Sequence, residues 1–405
     1  MEFYKRKNCR LCNSTNLEKV LDLNQSALCD EYLKSTKTQK QYDLKLDYCL
    51  NCNFVQINTV INPEIIYKNY IYVTSSSLGL VEHFEKYCQE VLNVVSLNKN
   101  KLVIDIGSNE GILLKAFKKN DYKVLGIEPS IKAANISNKN GIETLCTFFN
   151  KKEALKILEK YGKASIVTIN NLLANIDDLE DFIEAILIIL DTNGVIIIES
   201  SYLLDMIDNM VFDYIYHEHL SYFSILPLIK FFKKYNMKLI NLQKIDTKGG
   251  SMRYFITKES SNRSINSNVE KFIKEEKKYN LNPARFKKYS DEIQKQKVKL
   301  INFLEKNIDY EIIGFGASAT STTLITHYNL NNFLDYLVDE NIAKVGTYSP
   351  GFNIPVYDIE KLNKENNKPK IIIILAWRYY KDILPKINKS HQDKVVIPLP
   401  YFKEL

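Results

Sequence analysis

The sequence has little net charge, few histidines and no long apolar run. Its 405 residues include five histidines and one tryptophan, and 55 Lys+Arg against 48 Asp+Glu leave a net charge of +7. This balance falls short of the strongly basic composition of nucleic-acid-binding domains. No stretch reaches the ~18 consecutive apolar residues that a membrane span needs, and the first residues lead into no apolar segment. We therefore expect a cytoplasmic protein without nucleic-acid or membrane partners, either a monomer or a weak homo-oligomer.

A third glycine is missing from the turn after the strongest strand pattern. Residues 102–111 read LVIDIGSNEG, an apolar run that ends near Asp105 and continues through Gly107 and Gly111 into a helical pattern. A pyrophosphate cofactor needs G-x-G-x-x-G, so that backbone and helix N-terminus can approach it. The G-x-x-x-G spacing instead favours a cofactor with an adenosine and a charged tail, of which S-adenosylmethionine (SAM) is the commonest. The alternative is a glycine turn in an α/β domain without a cofactor.

The next strand pattern, KVLGIE, ends in Glu128, which we expect to accept hydrogen bonds from the ribose hydroxyls. Asp105 and the glycine turn are expected to hold the methionine end of the cofactor. The predicted cofactor-binding residues are Asp105, Gly107, Ser108, Asn109, Gly111, Glu128 and Asn171.

Strand and helix patterns alternate from Val81 to about Lys258, which predicts a parallel sheet covered by helices. The last two strand patterns, KLINLQKI and SMRYFIT, are joined by a short turn and should pair antiparallel. Five parallel strands closed by such a hairpin are typical of class I methyltransferases. The predicted fold class is α/β: a zinc-binding domain (1–65), a class I SAM-methyltransferase Rossmann-like domain (66–260), connecting helices (261–309) and a second Rossmann-like domain (310–405).

Four of the seven cysteines form two C-x-x-C pairs. Cys9 and Cys12 form the first pair, and Cys49 and Cys52 form the second. Four thiolates are a soft tetrahedral set that selects zinc and leaves no open position for a substrate. We expect a structural zinc ion, with a small structured excursion between the pairs; the alternative is unbound thiols. The other cysteines are expected to be small buried hydrophobes, namely Cys29, Cys88 and Cys146.

Chemically reactive side chains concentrate in FDYIYHEHLSYFS at residues 212–224. If the segment is helical, Tyr216 and His219 share one face and can converge on a substrate, whereas His217 and Glu218 point elsewhere. A neutral imidazole is a suitable base for a carbon acid beside a carbonyl group. The alternatives are a histidine pair satisfied by hydrogen bonds, or a metal site of both histidines and Glu218.

Further polar residues flank the predicted site. Tyr70 and Tyr72 would share one face of an extended segment, although core packing is an equal alternative. The serines that follow can cap a helix beginning near Leu80. The guanidinium of Arg253 suits a substrate phosphate. The alternative is a structural role at the surface or at the edge of the core. The predicted substrate-binding residues are Tyr70, Tyr72, Asn175, Tyr222 and Arg253.

The C-terminal part carries its own glycine turn. Gly314-x-Gly316-x-x-Ala319, with Asp339 about twenty residues beyond, is a dinucleotide fingerprint when taken alone. An NAD-linked oxidoreductase is therefore an alternative, although one chain would then hold two cofactor sites.

Taken together, CRLC and CLNC, DIGSNEG and GIEPS, the Y-H-E-H segment, GGSMR, and GFGASA with VDENIAKVGTYSPGFNIPV resemble the sugar C-methyltransferase family over almost the whole chain. The resemblance implies a cysteine-bound zinc domain, a SAM domain and a C-terminal nucleotide-sugar domain. It also implies that His219 is the general base, that Tyr216 contacts the sugar and that Glu218 supports them. Two positions depart from the family: Asn175 replaces a histidine and Thr320 replaces a lysine.

The resulting prediction is a SAM-dependent C-methyltransferase of a nucleotide-linked 4-keto-6-deoxysugar. His219 would remove the acidic C3 proton, and the enolate carbon would attack the SAM methyl group. Protonation of the base should lower activity below about pH 6. The alternatives are methylation of oxygen or nitrogen on a nucleotide sugar, the oxidoreductase above, and a zinc-knuckle nucleic-acid-binding protein.

Overall fold

The computed structural model describes residues 2–67, 79–362 and 368–405. Within these ranges the chain forms three successive parts: a small N-terminal unit, a seven-stranded α/β unit, and a six-stranded α/β unit reached through two helices. This order confirms the predicted fold class. None of the helices in the described ranges is long and apolar enough to cross a bilayer.

The N-terminal unit consists of short strands and one short helix. Its elements are β1 (Phe3–Lys5), β2 (Leu17–Ser26), β3 (Tyr42–Cys49), β4 (Val55–Ile57), β5 (Thr59–Ile61) and α1 (Pro63–Tyr67). The chain between the cysteine pairs supplies β2 and β3, so the expected excursion has its own structure. β1 pairs with β5, and β2, β3 and β4 form a sheet.

The middle unit alternates strands and helices as expected. Its elements are α2 (Leu80–Val95), β6 (Leu102–Ile106), α3 (Ile112–Lys119), β7 (Lys123–Ile127), α4 (Ile131–Lys139), β8 (Thr144–Leu145), α5 (Lys151–Tyr161), β9 (Ala164–Asn170), α6 (Leu179–Ile189), β10 (Leu190–Ser201), α7 (Leu203–Asp208), β11 (Ser221–Tyr222), α8 (Ile225–Lys233), β12 (Met237–Ile245) and β13 (Ser251–Lys258). The sheet order is β12-β13-β10-β9-β6-β7-β8, and β6 to β10 run parallel. The antiparallel pairing of β12 with β13 confirms the predicted hairpin.

Two local features of this unit matter for the site. Helix α2 begins at Leu80 as expected, with Gly79 at the N-cap position, and the serines expected to cap it lie outside the described residues. Strand β11 leaves the middle unit and pairs with β4, which makes it the edge strand of the N-terminal sheet. The segment 212–220 therefore bridges the two units.

The C-terminal part begins with the two expected connecting helices. Its elements are α9 (Ser267–Tyr279), α10 (Pro283–Glu305), β14 (Glu311–Phe315), α11 (Ala319–Tyr328), β15 (Tyr336–Asp339), β16 (Val356–Asp358), α12 (Ile359–Leu362), β17 (Lys370–Ile374), α13 (Tyr380–Ile383), β18 (Lys394–Ile397) and β19 (Lys403–Glu404). The sheet order is β16-β15-β14-β17-β18-β19. The order reverses between β14 and β17, and ligands bind at such switch points in open α/β sheets.

The buried strands pack on both faces of each sheet. In β6, Ile104 and Ile106 belong to one apolar core and Val103 to the core on the other face. In β14, Ile312 belongs to one apolar core and Ile313 to the core on the other face. Helices cover both faces, so the carboxyl edges of the strands remain the place for polar ligands. Residues that follow β6, β9, β14 and β17 line one shared cavity.

Candidate functional site

The four predicted zinc ligands lie together in the N-terminal unit. Sγ of Cys9 is 3.5 Å from Sγ of Cys52, and Sγ of Cys12 is 3.5 Å from Sγ of Cys49. All four sulfur atoms lie within 4.8 Å of one another. Thiolates about 2.3 Å from a tetrahedral zinc ion are separated by about 3.8 Å, so the geometry fits zinc. In the described ranges no other group of three or more such ligands comes together, which argues against a metal site at residues 217–219.

Both knuckles close with the same turn. The amide of Asn13 donates to the carbonyl of Cys9 at 2.9 Å, and Asn53 donates to Cys49 at 2.8 Å. Both asparagines have left-handed backbones, with φ of 60° and 67°. Of the remaining cysteines, Cys29 and Cys88 are buried, whereas Cys146 is exposed and the expectation for it was wrong.

The N-terminal unit supports the segment 212–220 through a buried arginine. Nη1 of Arg10 donates to the carbonyls of Ile57 at 2.6 Å and Leu220 at 3.2 Å. Nε of Arg10 donates to Asp177 at 2.9 Å. Arg10 follows the first zinc ligand directly, so the metal site and the end of this segment form one connected structure.

The central cavity has a volume of about 580 Å³ and is lined by all three parts of the chain. The predicted cofactor residues lie at one end, where β6, β7 and β9 end. Tyr216, Glu218 and His219 line the wall beside them, together with Asn175. Residues after β14 and β17 form the opposite side. A volume of this size is ordinary for a small-molecule site.

At the cofactor end, both glycines have conformations that a side chain would strain. Gly107 and Gly111 have φ of 79° and 75°. A Cβ on Gly111 would lie 2.4 Å from Oγ of Ser137. The chain can therefore turn tightly after β6 and begin α3 beside the cavity, which Ile112 and Leu113 of its first turn line.

The acidic residues of this end are held in place by the protein itself. Oε2 of Glu128 accepts from the amide of Asn109 at 3.0 Å, and its Oε1 accepts from the amide of Ser130 at 2.8 Å. Oδ1 of Asp105 accepts from Oγ1 of Thr168 at 2.6 Å. Burial raises the pKa of Glu128, and it raises the pKa of Asp105 to about 7. Fixed carboxylates at a cavity wall are suited to bind hydroxyl and ammonium groups.

Two more predicted residues of this end line the cavity. Oγ of Ser108 is buried without a hydrogen-bond partner in the described protein, which fits a polar ligand that would supply one. Asn171 has a left-handed backbone, with φ of 53°, and its amide donates to the carbonyl of Glu199 at 2.8 Å. The residues present therefore fit an adenosine cofactor with a charged tail.

The Tyr216–His219 pair is formed by a turn, not by a helix. The amide of His219 donates to the carbonyl of Tyr216 at 2.9 Å, and their ring centroids lie 4.1 Å apart. His217 points away and bonds through Nε2 to the carbonyl of Asp43 at 3.2 Å. Glu218, which a helix would have turned away, lines the cavity, so that expectation was wrong.

The orientation of His219 defines which nitrogen can act as a base. Its Nδ1 lies 3.0 Å from the carbonyl oxygen of Tyr214, and because a carbonyl only accepts, Nδ1 carries the proton of the neutral ring. Nε2 then has the free lone pair. Burial, with a further contribution from the charge of Lys248, lowers the pKa of His219 to about 4. The ring is therefore neutral throughout the physiological range.

Glu218 has the opposite tendency. Burial and the nearby Asp30 raise its pKa to about 8, although Lys344 opposes them. Lys344 is itself paired with Asp30 and lies 3.9 Å above the ring of Tyr32. Glu218 is consequently protonated near pH 7 and can donate a hydrogen bond. Glu218, Asp30 and Lys344 all line the central cavity.

Some predicted site residues lie elsewhere. Arg253 is fully buried, pairs with Glu199 and Glu90 at 2.8 Å each, and is absent from the cavity wall, so a phosphate contact does not fit its position. Tyr222 is buried behind His219 at a void of about 20 Å³. Tyr70 and Tyr72 lie outside the described residues.

The C-terminal glycine turn lies on the cavity, but its acidic residue is engaged. Oδ2 of Asp339 accepts from the amide of Ala317 at 2.6 Å, and Oδ1 accepts from the amide of Asn341 at 2.7 Å. The carboxylate thus braces the turn, in the way that Glu128 is held by two backbone amides at the cofactor end.

Five charged residues of the cavity wall were not predicted: Asp30, Asp177, Lys248, Lys344 and Arg378. Arg378 could have been found, because it follows the apolar run KIIIILAW and the carboxyl ends of such strands carry ligand sites. Lys248 lies in the predicted turn between β12 and β13, with φ of 57°. For Asp30 and Lys344 the sequence carries no local signal.

Three family models match successive parts of the chain. One described as "Putative zinc binding domain" matches residues 9–67, one described as "Methyltransferase domain" matches 80–242, and one described as "C-methyltransferase C-terminal domain" matches 246–400.

A curated relative, C-methyltransferase NovU of Streptomyces niveus, is 23% identical over 401 residues, which cover 97% of this chain and 95% of the relative. Among solved structures, the plantazolicin methyltransferase BpumL in complex with SAH is 13% identical with a TM-score of 0.34, over 43% of this chain and 82% of that one. The magnesium protoporphyrin IX methyltransferase ChlM of Synechocystis PCC 6803 with bound SAM is 12% identical with a TM-score of 0.33, over 44% of this chain and 77% of that one.

Proposed function

Because the chain is a SAM-dependent C-methyltransferase with a structural zinc site, we propose that its acceptor is a nucleotide-linked 4-keto-6-deoxysugar, methylated at C3. The observation that carries this proposal is the stacked Tyr216–His219 pair, which lies in the same cavity as the cofactor residues. The reaction takes place in the cytoplasm, and the enzyme works as a monomer or a weak homo-oligomer.

His219 is the general base. Its Nδ1–H is held by the carbonyl of Tyr214, so Nε2 accepts the proton from C3, next to the C4 ketone. The low pKa of His219 keeps this nitrogen unprotonated before the reaction. Tyr216 stacks on the imidazole and orients the sugar ring. Holding donor and acceptor at attack distance supplies much of the remaining rate gain.

The enolate that follows deprotonation is an anion, and two groups of the cavity stabilise it. Glu218 is protonated near pH 7 and can donate a hydrogen bond to the C4 oxygen. Lys248 lies close enough to influence the His219 pKa, and its positive charge favours negative charge on the sugar. SAM, when bound, supplies an electrophilic methyl group beside the enolate carbon. Asp105, Ser108, Asn171 and Glu128 hold the two ends of the cofactor.

One feature supports the nucleotide part of the proposal. The C-terminal sheet turns its switch point, between β14 and β17, toward the central cavity, and Ala317 and Ala376 there line it. Open α/β sheets with this strand order bind nucleotides, dinucleotides among them, at that point.

The test is methylation of defined acceptors. Purified protein is incubated with SAM and dTDP-, UDP-, GDP- and CDP-linked 4-ketosugars, and the products are examined by mass spectrometry and NMR. The proposal expects one acceptor to gain a methyl group on C3. His219→Asn should lose this activity and still bind SAM, whereas His391→Asn, which changes an exposed histidine, should keep it.

If the methyl group is found on a hydroxyl or amino group of the product, the acceptor atom is oxygen or nitrogen and not carbon. Full turnover by His219→Asn would remove His219 from the mechanism. Failure of the whole panel, with SAM bound normally, would refute the ketosugar substrate.

A further inference from the structure

A second cavity of about 660 Å³ adjoins the central one. It lies between the β12–β13 turn and the loops that follow β17 and β18. Lys248, Arg378 and Tyr379 line both cavities, so they mark the junction. The two connected cavities together offer room for a methyl donor and for a nucleotide-linked sugar that extends across the junction.

The cation at this junction is held in one position. Nη1 of Arg378 donates to both carboxylate oxygens of Asp213, at 2.9 and 3.0 Å, and Nε1 of Trp377 donates to Oδ2 of the same carboxylate at 2.9 Å. Asp213 is completely buried. No other hydrogen bond of this guanidinium is found among the described residues, and its side chain is 13% exposed. Its other N–H groups are therefore available to a ligand.

Two cations, Lys248 and Arg378, lie at the junction. Lys248 has no ion pair within the described part of the chain, and the carboxylate that neutralises Arg378 lies behind it, away from both cavities. Beyond the junction, the aromatic residues Trp377 and Tyr401 and the acidic residues Asp208 and Asp246 line the second cavity. Paired cations suit a diphosphate, aromatic rings suit a base, and carboxylates accept from ribose hydroxyls.

We propose that Lys248 and Arg378 bind the diphosphate of the acceptor at this junction, so that the sugar lies in the central cavity and the nucleoside lies in the second cavity beside Trp377. The inference rests on the proposed nucleotide-sugar substrate. Asp213 is a positioning residue, because it holds Arg378 and does not line either cavity. It also lies three residues before Tyr216, so the same contact joins the diphosphate site to the catalytic turn.

The test uses the single tryptophan of the protein. Trp377 lines the second cavity and not the central one, so its emission reports occupancy of the second cavity alone. Titration with dTDP, UDP, GDP and CDP is followed by tryptophan fluorescence and by calorimetry, with SAH as the control ligand. At least one nucleoside diphosphate should bind and change the emission, and SAH should bind without changing it.

Arg378→Gln should weaken that nucleoside diphosphate by about 10- to 100-fold, the usual effect of removing a charged hydrogen-bond donor. Lys381→Gln, which removes an exposed cation from the next helix, should leave the affinity unchanged. Asp213→Asn should weaken the nucleoside diphosphate and shift the Trp377 emission of the free protein, while SAH affinity stays the same. Arg378→Lys should recover part of the lost affinity.

Three results would overturn the inference: no nucleoside diphosphate binds, one binds without a change in Trp377 emission, or Arg378→Gln binds as tightly as the wild type. The second result would place the nucleoside elsewhere, such as beside the C-terminal glycine turn. Failure of the proposed function is a separate outcome, since a protein that binds nucleoside diphosphates as described but methylates no ketosugar would contradict only that proposal.

Discussion

Activity should follow a bell-shaped pH profile with one limb from His219 and one from Glu218. Burial lowers the pKa of His219 to about 4 and raises that of Glu218 to about 8. The base is active when unprotonated, above its pKa, and the hydrogen-bond donor is active when protonated, below its pKa. The profile of kcat/KM reports these groups in the free enzyme. We expect a plateau from about pH 5 to 7.

The size of the effect separates this account from one with an ordinary histidine. At pH 6 a histidine with a pKa of 6.5 would be neutral in only about a quarter of the molecules, which lowers kcat/KM about fourfold. With a pKa of about 4 the neutral fraction is about 99%, so no loss is expected there. This corrects the fall below pH 6 expected from the sequence. At pH 9, with Glu218 protonated in about one molecule in eleven, kcat/KM should be about tenfold lower.

The assay is initial-rate methyl transfer from pH 4.5 to 9.5 at constant ionic strength, with structural integrity checked by circular dichroism. Glu218→Gln keeps a neutral donor that cannot ionise, so its alkaline limb should disappear. Glu259→Gln changes an exposed carboxylate and should keep the wild-type profile. A decline centred near pH 6.5 would refute the effect of burial on His219. An unchanged alkaline limb in Glu218→Gln would refute the role of Glu218.

Two further predictions concern structural residues. Cys9→Ser should lose zinc, measured by elemental analysis, and should have a lower melting temperature and lower activity, because the neighbouring Arg10 supports the end of segment 212–220. Cys146→Ser, at an exposed cysteine, should keep the zinc content, melting temperature and activity of the wild type. Full activity of Cys9→Ser without zinc would contradict the reasoning. Arg253→Met should reduce the free energy of unfolding in urea by about 3 kcal/mol, because Glu199 stays buried and keeps, among the described residues, only its contact with Nε2 of His83 at 2.6 Å. Its affinity for nucleoside diphosphates should stay unchanged, and a selective loss of that affinity would restore the phosphate role expected from the sequence.

The cofactor end of the site was predictable because its determinants are local. Asp105 lies near the end of β6, the two glycines follow that strand, and Glu128 follows β7, so strand patterns and turn chemistry were enough to place them at one edge. The two cysteine pairs were predictable for the same reason, since each knuckle is formed by four consecutive residues.

The segment 212–220 was harder to predict because its conformation depends on distant residues. Asp213 bonds to Trp377 and Arg378 of the C-terminal unit, the carbonyl of Ile215 accepts from Oγ1 of Thr323 at 3.0 Å, and His217 bonds to Asp43 of the N-terminal unit. These contacts hold the segment as a turn, and a periodicity of three or four residues carries no information about them. These contacts therefore bring Glu218 to the cavity, whereas a helix would have turned it away.

Arg253 illustrates a second limit. Its partners Glu199 and Glu90 lie 54 and 163 residues away in the sequence, and a buried arginine looks the same as a phosphate-binding one before its neighbours are known. The cavity charges Asp30 and Lys344 were missed because the N-terminal and C-terminal units had to be placed against each other first.

The central claim is that His219 removes a proton from carbon next to a ketone. Its most direct test is exchange of the C3 proton of the acceptor in deuterated buffer, with SAH in place of SAM so that no methyl transfer can follow. By NMR the wild type should exchange this proton, His391→Asn should exchange it at the same rate, and His219→Asn should not exchange it above the uncatalysed background. The account would be contradicted if the wild type did not exchange the C3 proton of an acceptor that it methylates. It would also be contradicted if His219→Asn exchanged that proton at the wild-type rate.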